Sequence, residues 1–149
     1  MTGHLIFIHD AAGLRQHESQ VMPLVRRCVE RAVHGEFTAE NVREEIEAGR
    51  AVAFCAEEDG AVVLASVVLL YLWPSGKLCA ELEAIGGRDL SKNWKRYKPQ
   101  ILAFLRAAGV DAFVAQCSPG MERLLGMTGD WKPLYRVVQC ELGESDVHD

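Results

Sequence analysis

The sequence lacks the signals of several classes of protein. Its five cysteines form no C-x-x-C pair and its five histidines show no metal-ligand spacing, so we expect buried thiols in a reducing compartment and no metal site. The first residues carry neither the basic region nor the cleavage site of a secretory signal peptide. The longest apolar run, residues 61–73, is shorter than the roughly 20 residues of a membrane helix. These absences favour a cytoplasmic protein without a membrane segment.

Excess positive charge is also missing. The chain has 16 lysines and arginines against 21 aspartates and glutamates, which gives a net charge of -5. This balance excludes a surface covered with basic residues for nucleic acid, although it leaves room for a local basic patch. With 149 residues, 49% of them hydrophobic, the chain can bury a core without disulfides or metals. We expect one domain over residues 1–142, followed by an acidic flexible tail at residues 143–149.

The pattern of apolar and turn residues predicts a strand, two helices, three strands joined by hairpins, and then helix, strand, helix and strand. Thr38 and Ser118 are expected to cap two of the helices. A helical crossover before the fifth strand predicts one parallel pair in an otherwise antiparallel sheet. The predicted fold class is therefore α+β, with helices on both faces of a mixed central sheet. The strands are expected at residues 4–9, 51–56, 61–73, 77–85, 111–117 and 131–142, and the helices at residues 21–33, 39–48, 100–109 and 119–125.

Residues 83–99, EAIGGRDLSKNWKRYKP, form the most unusual stretch of the chain. Two glycines are followed by five basic residues, Arg88, Lys92, Lys95, Arg96 and Lys98. Gly86 and Gly87 could let the backbone approach a phosphate that the basic side chains neutralise. Alternatively, Trp94 and Tyr97 stack on the bases of a nucleic acid, the least favoured interpretation. In the third interpretation the stretch is a solvated connection whose two aromatic rings cover the core.

Two carboxylates, Glu81 and Glu83, occupy alternate positions of the strand expected at residues 77–85. Side chains alternate along a strand, so both are expected on one face, about 7 Å apart. A carboxylate that is partly buried there would have a raised pKa, which suits a general base. The alternative is a solvent-facing edge or an ion pair with Lys77 or Arg88. Glu83 is the stronger candidate because it lies nearer the carboxyl end of the strand.

The element order over residues 4–142 resembles the GCN5-related N-acetyltransferase (GNAT) superfamily. The second half resembles a narrower group, the small acetyltransferase-like proteins encoded by tailed bacteriophages. The matching features are the turn Gly86-Gly-Arg88 before a helix, the short helix Met121-Glu-Arg-Leu-Leu125 and the aromatic-rich stretch Trp131-Lys-Pro-Leu-Tyr135. The resemblance implies an acyltransferase that uses acetyl-CoA and acylates an amine of a small molecule or a protein.

The resemblance also assigns roles to particular residues. Glu83, with Glu81 beside it, would deprotonate the amine, which must be neutral to attack a thioester. Tyr135 is the tyrosine nearest to the expected acid that protonates the departing thiolate, although packing against Trp131 in the core is the alternative. The cofactor arm would be bound by the backbone of Ile85, Gly86, Gly87 and Arg88, and its phosphates by Lys92 and Arg96.

The chain also departs from the family pattern. The family's cofactor loop is similar to Gln/Arg-x-x-Gly-x-Gly/Ala, whereas this chain has no second glycine after Gly86-Gly-Arg88. The family's frequent acid, a tyrosine, falls near Leu124 or Leu125. These departures support a second hypothesis, a phage-encoded, non-catalytic protein that acts as a virion component or host-interacting module, in the host cytoplasm or the virion. It predicts association with virion proteins or a homo-oligomer, and a cofactor loop filled by Trp94 and Tyr97.

Overall fold

The computed structural model describes residues 3–30, 37–127 and 129–143. The chain divides into two compact units, Met1–Gln116 and Cys117–Asp149, and each is described by itself. Of the expected acidic tail, only residue 143 is among the described residues. No helix in the described part of the chain is long and apolar enough to cross a membrane.

The first unit is a five-stranded sheet with helices on both faces. The strand order is β1-β2-β3-β4-β5. The first four strands pair antiparallel with their neighbours, and β4 pairs parallel with β5. Both the predicted fold class and the predicted parallel pair are therefore confirmed. The elements are β1 Gly3–Ile8, α1 Ala11–Glu30, α2 Ala39–Glu47, β2 Ala51–Glu58, β3 Ala61–Leu72, β4 Leu78–Gly87, α3 Leu90–Ala107 and β5 Ala112–Ala115.

Helices α1 and α2 cover one face of the sheet. Their buried side chains pack on small strand residues, and small residues let helices approach a sheet closely. Each buried valine or isoleucine contributes about 1.5–3 kcal/mol relative to an exposed one. This cluster, hereafter the α1–α2 core, includes Val21, Met22, Val25, Val42, Ile46, Ala51, Ala53, Cys55, Ala65, Val67 and Ala84.

Helix α3 covers the opposite face. Phe54 of β2, whose neighbours Ala53 and Cys55 belong to the α1–α2 core, meets Phe104 of α3 edge to face, with ring centroids 5.2 Å apart. Trp94 and Tyr97 of α3 are fully buried. The two rings therefore cover the core, as the third interpretation expects, although the residues from Leu90 onward form a helix rather than a solvated connection. Their burial leaves no ring surface on which a base could stack.

Both long helices begin about ten residues before the predicted positions. Helix α1 begins at Ala11 because the Asp10 carboxylate accepts a hydrogen bond from the Gly13 amide at 2.7 Å, which caps it. In the predicted helix at residues 21–33, Pro23 would stand in the first turn, but in the structure it lies inside α1. The last residues of that predicted helix, 31–33, lie outside the described residues.

Helix α3 also contains an internal proline. It begins at Leu90 rather than at residue 100, and Pro99 lies inside it. A proline removes one backbone hydrogen bond from a helix. Here the packing of a continuous apolar face outweighs that loss, because tertiary burial supplies most of a helix's stability. The buried face consists of Trp94, Tyr97, Ile101 and Leu105.

The second unit contains α4, Pro119–Gly126. The Ser118 hydroxyl accepts a hydrogen bond from the Met121 amide at 3.2 Å, so the predicted cap is confirmed. The predicted strand at residues 131–142 is wrong, because these residues form no strand in the structure. Residues with high β-propensity become a strand only by pairing, and the large apolar side chains here are exposed: Leu134, Tyr135, Val137, Val138 and Leu142.

Candidate active site

The sheet opens beside the carboxyl end of β4. The parallel pairing of β4 with β5 runs from Cys79–Ala112 to Leu82–Ala115 and then stops. The last five residues of β4, Glu83–Gly87, have no partner on that side among the described residues. An unpaired stretch of strand presents amide and carbonyl groups that an extended ligand can bond.

The pairing with β3 determines which amides of β4 point toward the open edge. The Arg88 amide donates to the Val63 carbonyl oxygen at 2.9 Å. Hydrogen-bonding directions alternate along an antiparallel pair, so the Gly86 amide also faces β3, whereas the Ile85 and Gly87 amides face the open side. Of the four residues predicted to bind the cofactor through their backbone, Ile85 and Gly87 can do so. The Arg88 amide is already bonded to Val63 and the Gly86 amide is directed at β3, so neither is available on the open side; the cofactor-binding role of all four residues stays a prediction.

The Ile85 carbonyl oxygen on the open edge is already engaged. The Cys28 thiol of α1 donates a hydrogen bond to it at 2.7 Å. A side chain placed on Gly86 would lie 3.3 Å from the same sulfur atom, so α1 packs closely over this part of β4. The open edge therefore presents the amides of Ile85 and Gly87 to a ligand, whereas the Ile85 carbonyl oxygen is already hydrogen-bonded to α1.

A β-bulge places Glu83. Leu82 pairs with Val68, and Ala84 pairs with Val67, so Glu83 is an extra residue opposite two consecutive partners. A bulge re-aims side chains and reverses the alternation beyond it. Ala84 therefore packs in the α1–α2 core. Strict alternation along β4 would place Ala84 on the other face, together with Leu82, so it does not hold beyond the bulge.

Glu81 and Glu83 share the face covered by α1 and α2. Glu81 pairs with Leu69, which packs against the α1–α2 core. Glu83 lies close to both Glu81 and Glu45 of α2, since both groups act on its pKa. The shared face of Glu81 and Glu83 was predicted from plain alternation, and the bulge adds Ala84 to that same face.

Glu83 faces a second buried carboxyl group. The Oε2 atoms of Glu45 and Glu83 are both buried and have no hydrogen-bond partner among the described residues. Burial, then the neighbouring carboxyl group of Glu45 with its charge, and then the charge of Glu81 raise the pKa of Glu83 from 4.5 to about 8. A carboxyl group with this pKa exchanges a proton near neutral pH, as a general base must.

Sequence reasoning missed Glu45, although a signal was present. Val42, Glu45 and Ile46 stand at positions i, i+3 and i+4 of α2, and such residues share one face of a helix. Val42 and Ile46 are fully buried, so their face carries Glu45 toward the sheet. The helix is fixed by a capping box in which Thr38 and Asn41 exchange hydrogen bonds of 2.9 and 3.1 Å.

Glu81 has a different environment. The Tyr71 hydroxyl of β3 donates to a Glu81 carboxylate oxygen at 3.2 Å. Burial, followed by the neighbouring Cys79 and the charge of Glu81, raises the pKa of Tyr71 to about 12, so this phenol stays protonated. The predicted ion pairs of the two β4 glutamates with Lys77 or Arg88 do not occur among the described residues.

The basic stretch is mainly a helix. Only Arg88 and Asp89 separate β4 from α3. Arg88 and Lys92 are exposed near the amino end of α3, where the helix dipole attracts anions. Asp89 stands at the N-cap position with φ of 40° and makes no capping bond, so its charge opposes that attraction. Arg96 is partly occupied, because it donates to Glu58 at 2.8 Å.

Tyr135 and the side chains that could bind a metal ion lie in surroundings that can be described. Tyr135 belongs to the second unit, and 81% of its surface is exposed. It therefore has no core-packing role in the described structure, and its role as an acid stays a prediction. Within the described ranges, no three His, Cys, Asp or Glu side chains are grouped in a way that could hold a metal ion.

Comparisons with known proteins give matches among solved structures. No family model matches the sequence, and no curated protein does. An aminoglycoside acetyltransferase from an uncultured soil metagenomic sample, crystallised with sisomicin, has a TM-score of 0.66 at 14% identity over 95% of each chain. Glucosamine-6-phosphate N-acetyltransferase from Arabidopsis thaliana has a TM-score of 0.64 at 12% identity, over 94% of this chain and 99% of that one. Ribosomal-protein-alanine N-acetyltransferase from Brucella melitensis biovar Abortus 2308 has a TM-score of 0.60 at 14% identity, over 93% and 100%.

These matches show the fold of the chain. It is the fold of N-acetyltransferases, and specifically that of the GNAT superfamily, as the sequence resemblance implied. The narrower resemblance to phage-encoded proteins stays a prediction.

Gly87→Ala is expected to destabilise the protein by about 2–3 kcal/mol. Gly87 has φ of 150°, and an added Cβ would lie 2.2 Å from the Val63 carbonyl oxygen. Urea unfolding measures the change. The control is Gly60→Ala, at a turn glycine with φ of 79° and no atom within 4 Å of the added carbon, which should cost about 1 kcal/mol. Equal losses for the two variants would contradict the described close approach of β4 to β3.

Glu83→Gln is expected to raise stability at high pH. The folded-state pKa of about 8 lies above the ordinary 4.5, so the folded protein binds more protons between these values. The wild type therefore loses stability as the pH rises from about 4.5 to about 8, and the glutamine variant lacks this loss. The gain at pH 9 should be about 1–2 kcal/mol, less than the full shift implies because the carboxyl is partly exposed. Denaturant unfolding from pH 5 to 9 measures it.

The matched control for this stability experiment is Glu44→Gln, an exposed position on α2. Its stability should follow that of the wild type across the whole pH range. A stability difference between the wild type and Glu83→Gln that stays constant from pH 5 to 9 would mean that Glu83 is ionised throughout.

Proposed function

We propose that this protein is an N-acyltransferase that transfers an acetyl group from acetyl-CoA to an amine. The observation that carries the proposal is the open end of β4, where the bulged Glu83 stands within four residues of the Ile85 and Gly87 amides. The fold shared with solved acetyltransferases supports the same reaction class.

The open edge is suited to an extended thioester ligand. The Ile85 and Gly87 amides would donate to the amide carbonyls of the pantetheine arm, as one strand donates to another. Arg88 and Lys92 would bind the pyrophosphate through their side chains. Arg96 would contribute less, because its guanidinium group also donates to Glu58. Acetyl-CoA supplies the activated acetyl group; the chain's own residues bind the two substrates and move the proton.

Glu83 is the proposed general base. A protonated amine cannot attack a thioester, so one proton must leave it first. A carboxylate whose pKa is about 8 takes that proton much more readily than one with a pKa of 4.5. Glu81 adds negative charge on the same face. Tyr135 remains the proposed donor to the departing thiolate, to be tested by Tyr135→Phe.

The same carboxyl groups favour a cationic acceptor. Glu45, Glu81 and Glu83 lie together, and the charges that act on Glu83 come from other carboxylates. Such a group attracts a protonated amine before it is deprotonated. We therefore propose that the acceptor is a small molecule or protein amine with positive charge near the reacting nitrogen.

A second candidate function is a non-catalytic one. The chain would keep the fold as a virion component or host-interacting module. The bond from the Arg88 amide to Val63 and the charge of Asp89 favour this candidate, because both reduce the binding of a pyrophosphate. This candidate also predicted that Trp94 and Tyr97 fill the cofactor loop. That feature does not support it, because both rings belong to α3 and are buried in the core.

Calorimetry with acetyl-CoA separates the two candidates. The wild type should bind, and the double variant Arg88→Gln/Lys92→Gln should bind about tenfold or more weakly through the loss of charge-assisted phosphate bonds. The control is Arg106→Gln, which removes an exposed positive charge at the other end of α3. No heat at millimolar acetyl-CoA with folded protein would reject the acyltransferase and leave the non-catalytic candidate.

Acetyl transfer is expected to need the ionised form of Glu83. With a panel of primary amines that includes sisomicin and spermine, the release of the CoA thiol should rise with pH and level off above about 8. Glu83→Gln should lower kcat/KM by about 10²-fold or more, and Glu44→Gln should leave it unchanged. Full activity in a folded Glu83→Gln variant would exclude Glu83 as the base.

A further inference from the structure

We propose that Glu45 is a positioning residue that holds one proton jointly with Glu83 and sets the pH at which Glu83 becomes a base. The inference deepens the proposed function and rests on it. Glu45 does not touch the reacting atoms in this proposal; it acts through Glu83.

The two carboxyl groups are arranged as a pair. Each has its Oε2 atom buried and without a hydrogen-bond partner among the described residues. Two carboxylates in contact repel each other when both are charged, and a single proton between them removes that repulsion. The unsatisfied oxygens are therefore explained if the pair carries one proton near neutral pH.

Rigid elements hold the pair together. Glu45 is fixed by α2, whose Val42 and Ile46 are fully buried and whose first turn is closed by the capping box at Thr38. Glu83 is fixed by the bulge, because Leu82 and Ala84 on either side of it are paired with β3. The backbones that carry the two carboxyl groups are therefore held in place on both elements.

No cation is among the described groups that act on Glu83. From α2 the group facing Glu83 is Glu45, and from its own strand it is Glu81. From β3, Tyr71 donates its hydroxyl to Glu81, and from α1 the Cys28 thiol donates to the Ile85 carbonyl two residues away. Arg43 of α2 is engaged by Glu18 and Glu40. The charges that act on Glu83 in the described surroundings are therefore all negative.

The pair defines when the base is available. Below the pKa of Glu83, the pair holds its proton and Glu83 cannot accept another from the amine. Above it, Glu83 loses the proton, and the negative charge of Glu45 makes it a stronger base than an isolated glutamate. The proton then moves from the ammonium nitrogen of the acceptor to a Glu83 carboxylate oxygen, which leaves a neutral amine.

Carbon NMR of the full chain tests this pairing without any assay of activity. The protein is labelled with ¹³C at the glutamate carboxyl carbons, and the Glu83 signal is assigned by its absence in Glu83→Gln. Its midpoint in the wild type should be close to 8, and it should fall by about one pH unit or more in Glu45→Gln, where the like charge is removed. Glu44→Gln, the exposed neighbour, should leave the midpoint unchanged.

Glu45→Asp provides a second variant, which keeps the negative charge but moves it away from Glu83 by one methylene. The Glu83 midpoint in this variant should lie between those of the wild type and Glu45→Gln. The pH limb of kcat/KM should shift in parallel, which a purely structural role of Glu45 would not cause. An unmoved Glu83 midpoint in folded Glu45→Gln would overturn this inference and leave acyl transfer intact. A moved midpoint in a protein that binds no acetyl-CoA would overturn the proposed function and leave the pairing in place.

Discussion

The structure of the site depends on one extra residue in the pairing of β3 with β4. Because Glu83 has no partner of its own on β3, the alternation of side chains between the two faces of β4 is interrupted between Leu82 and Ala84. Beyond that point Ala84 faces the α1–α2 core, and the amides of Ile85 and Gly87 face the open side of the sheet. The bulge thus supplies the carboxylate and the backbone donors together.

Much of the fold followed from local signals in the sequence. The caps at Thr38 and Ser118 and the helical crossover that makes β4 and β5 parallel are encoded by a few neighbouring residues each. The bulge could not be predicted, because alternation assumes that every residue has a partner across the ladder. Alternation therefore places Glu81 and Glu83 correctly on one face, but it would place Ala84, which follows the bulge, on the wrong one.

Tertiary packing explains the remaining differences. Prolines 23 and 99 look like helix starts in the sequence, but both lie inside helices whose buried faces continue across them. Glu45 was missed because its burial depends on the contact of α2 with the sheet, which no local pattern states. The stretch at residues 131–142 has the composition of a strand, yet composition without a partner does not make one.

The short connection between β4 and α3 has a mechanical consequence. Arg88 and Asp89 alone join the two elements, and the Asn93 side chain donates back to the Arg88 carbonyl oxygen at 2.6 Å. Because this connection is short and hydrogen-bonded, it has little conformational freedom. The end of β4 and the start of α3 are therefore expected to move together. A ligand that contacts both the end of β4 and the start of α3 binds two surfaces that are already aligned, so the protein loses little conformational entropy on binding.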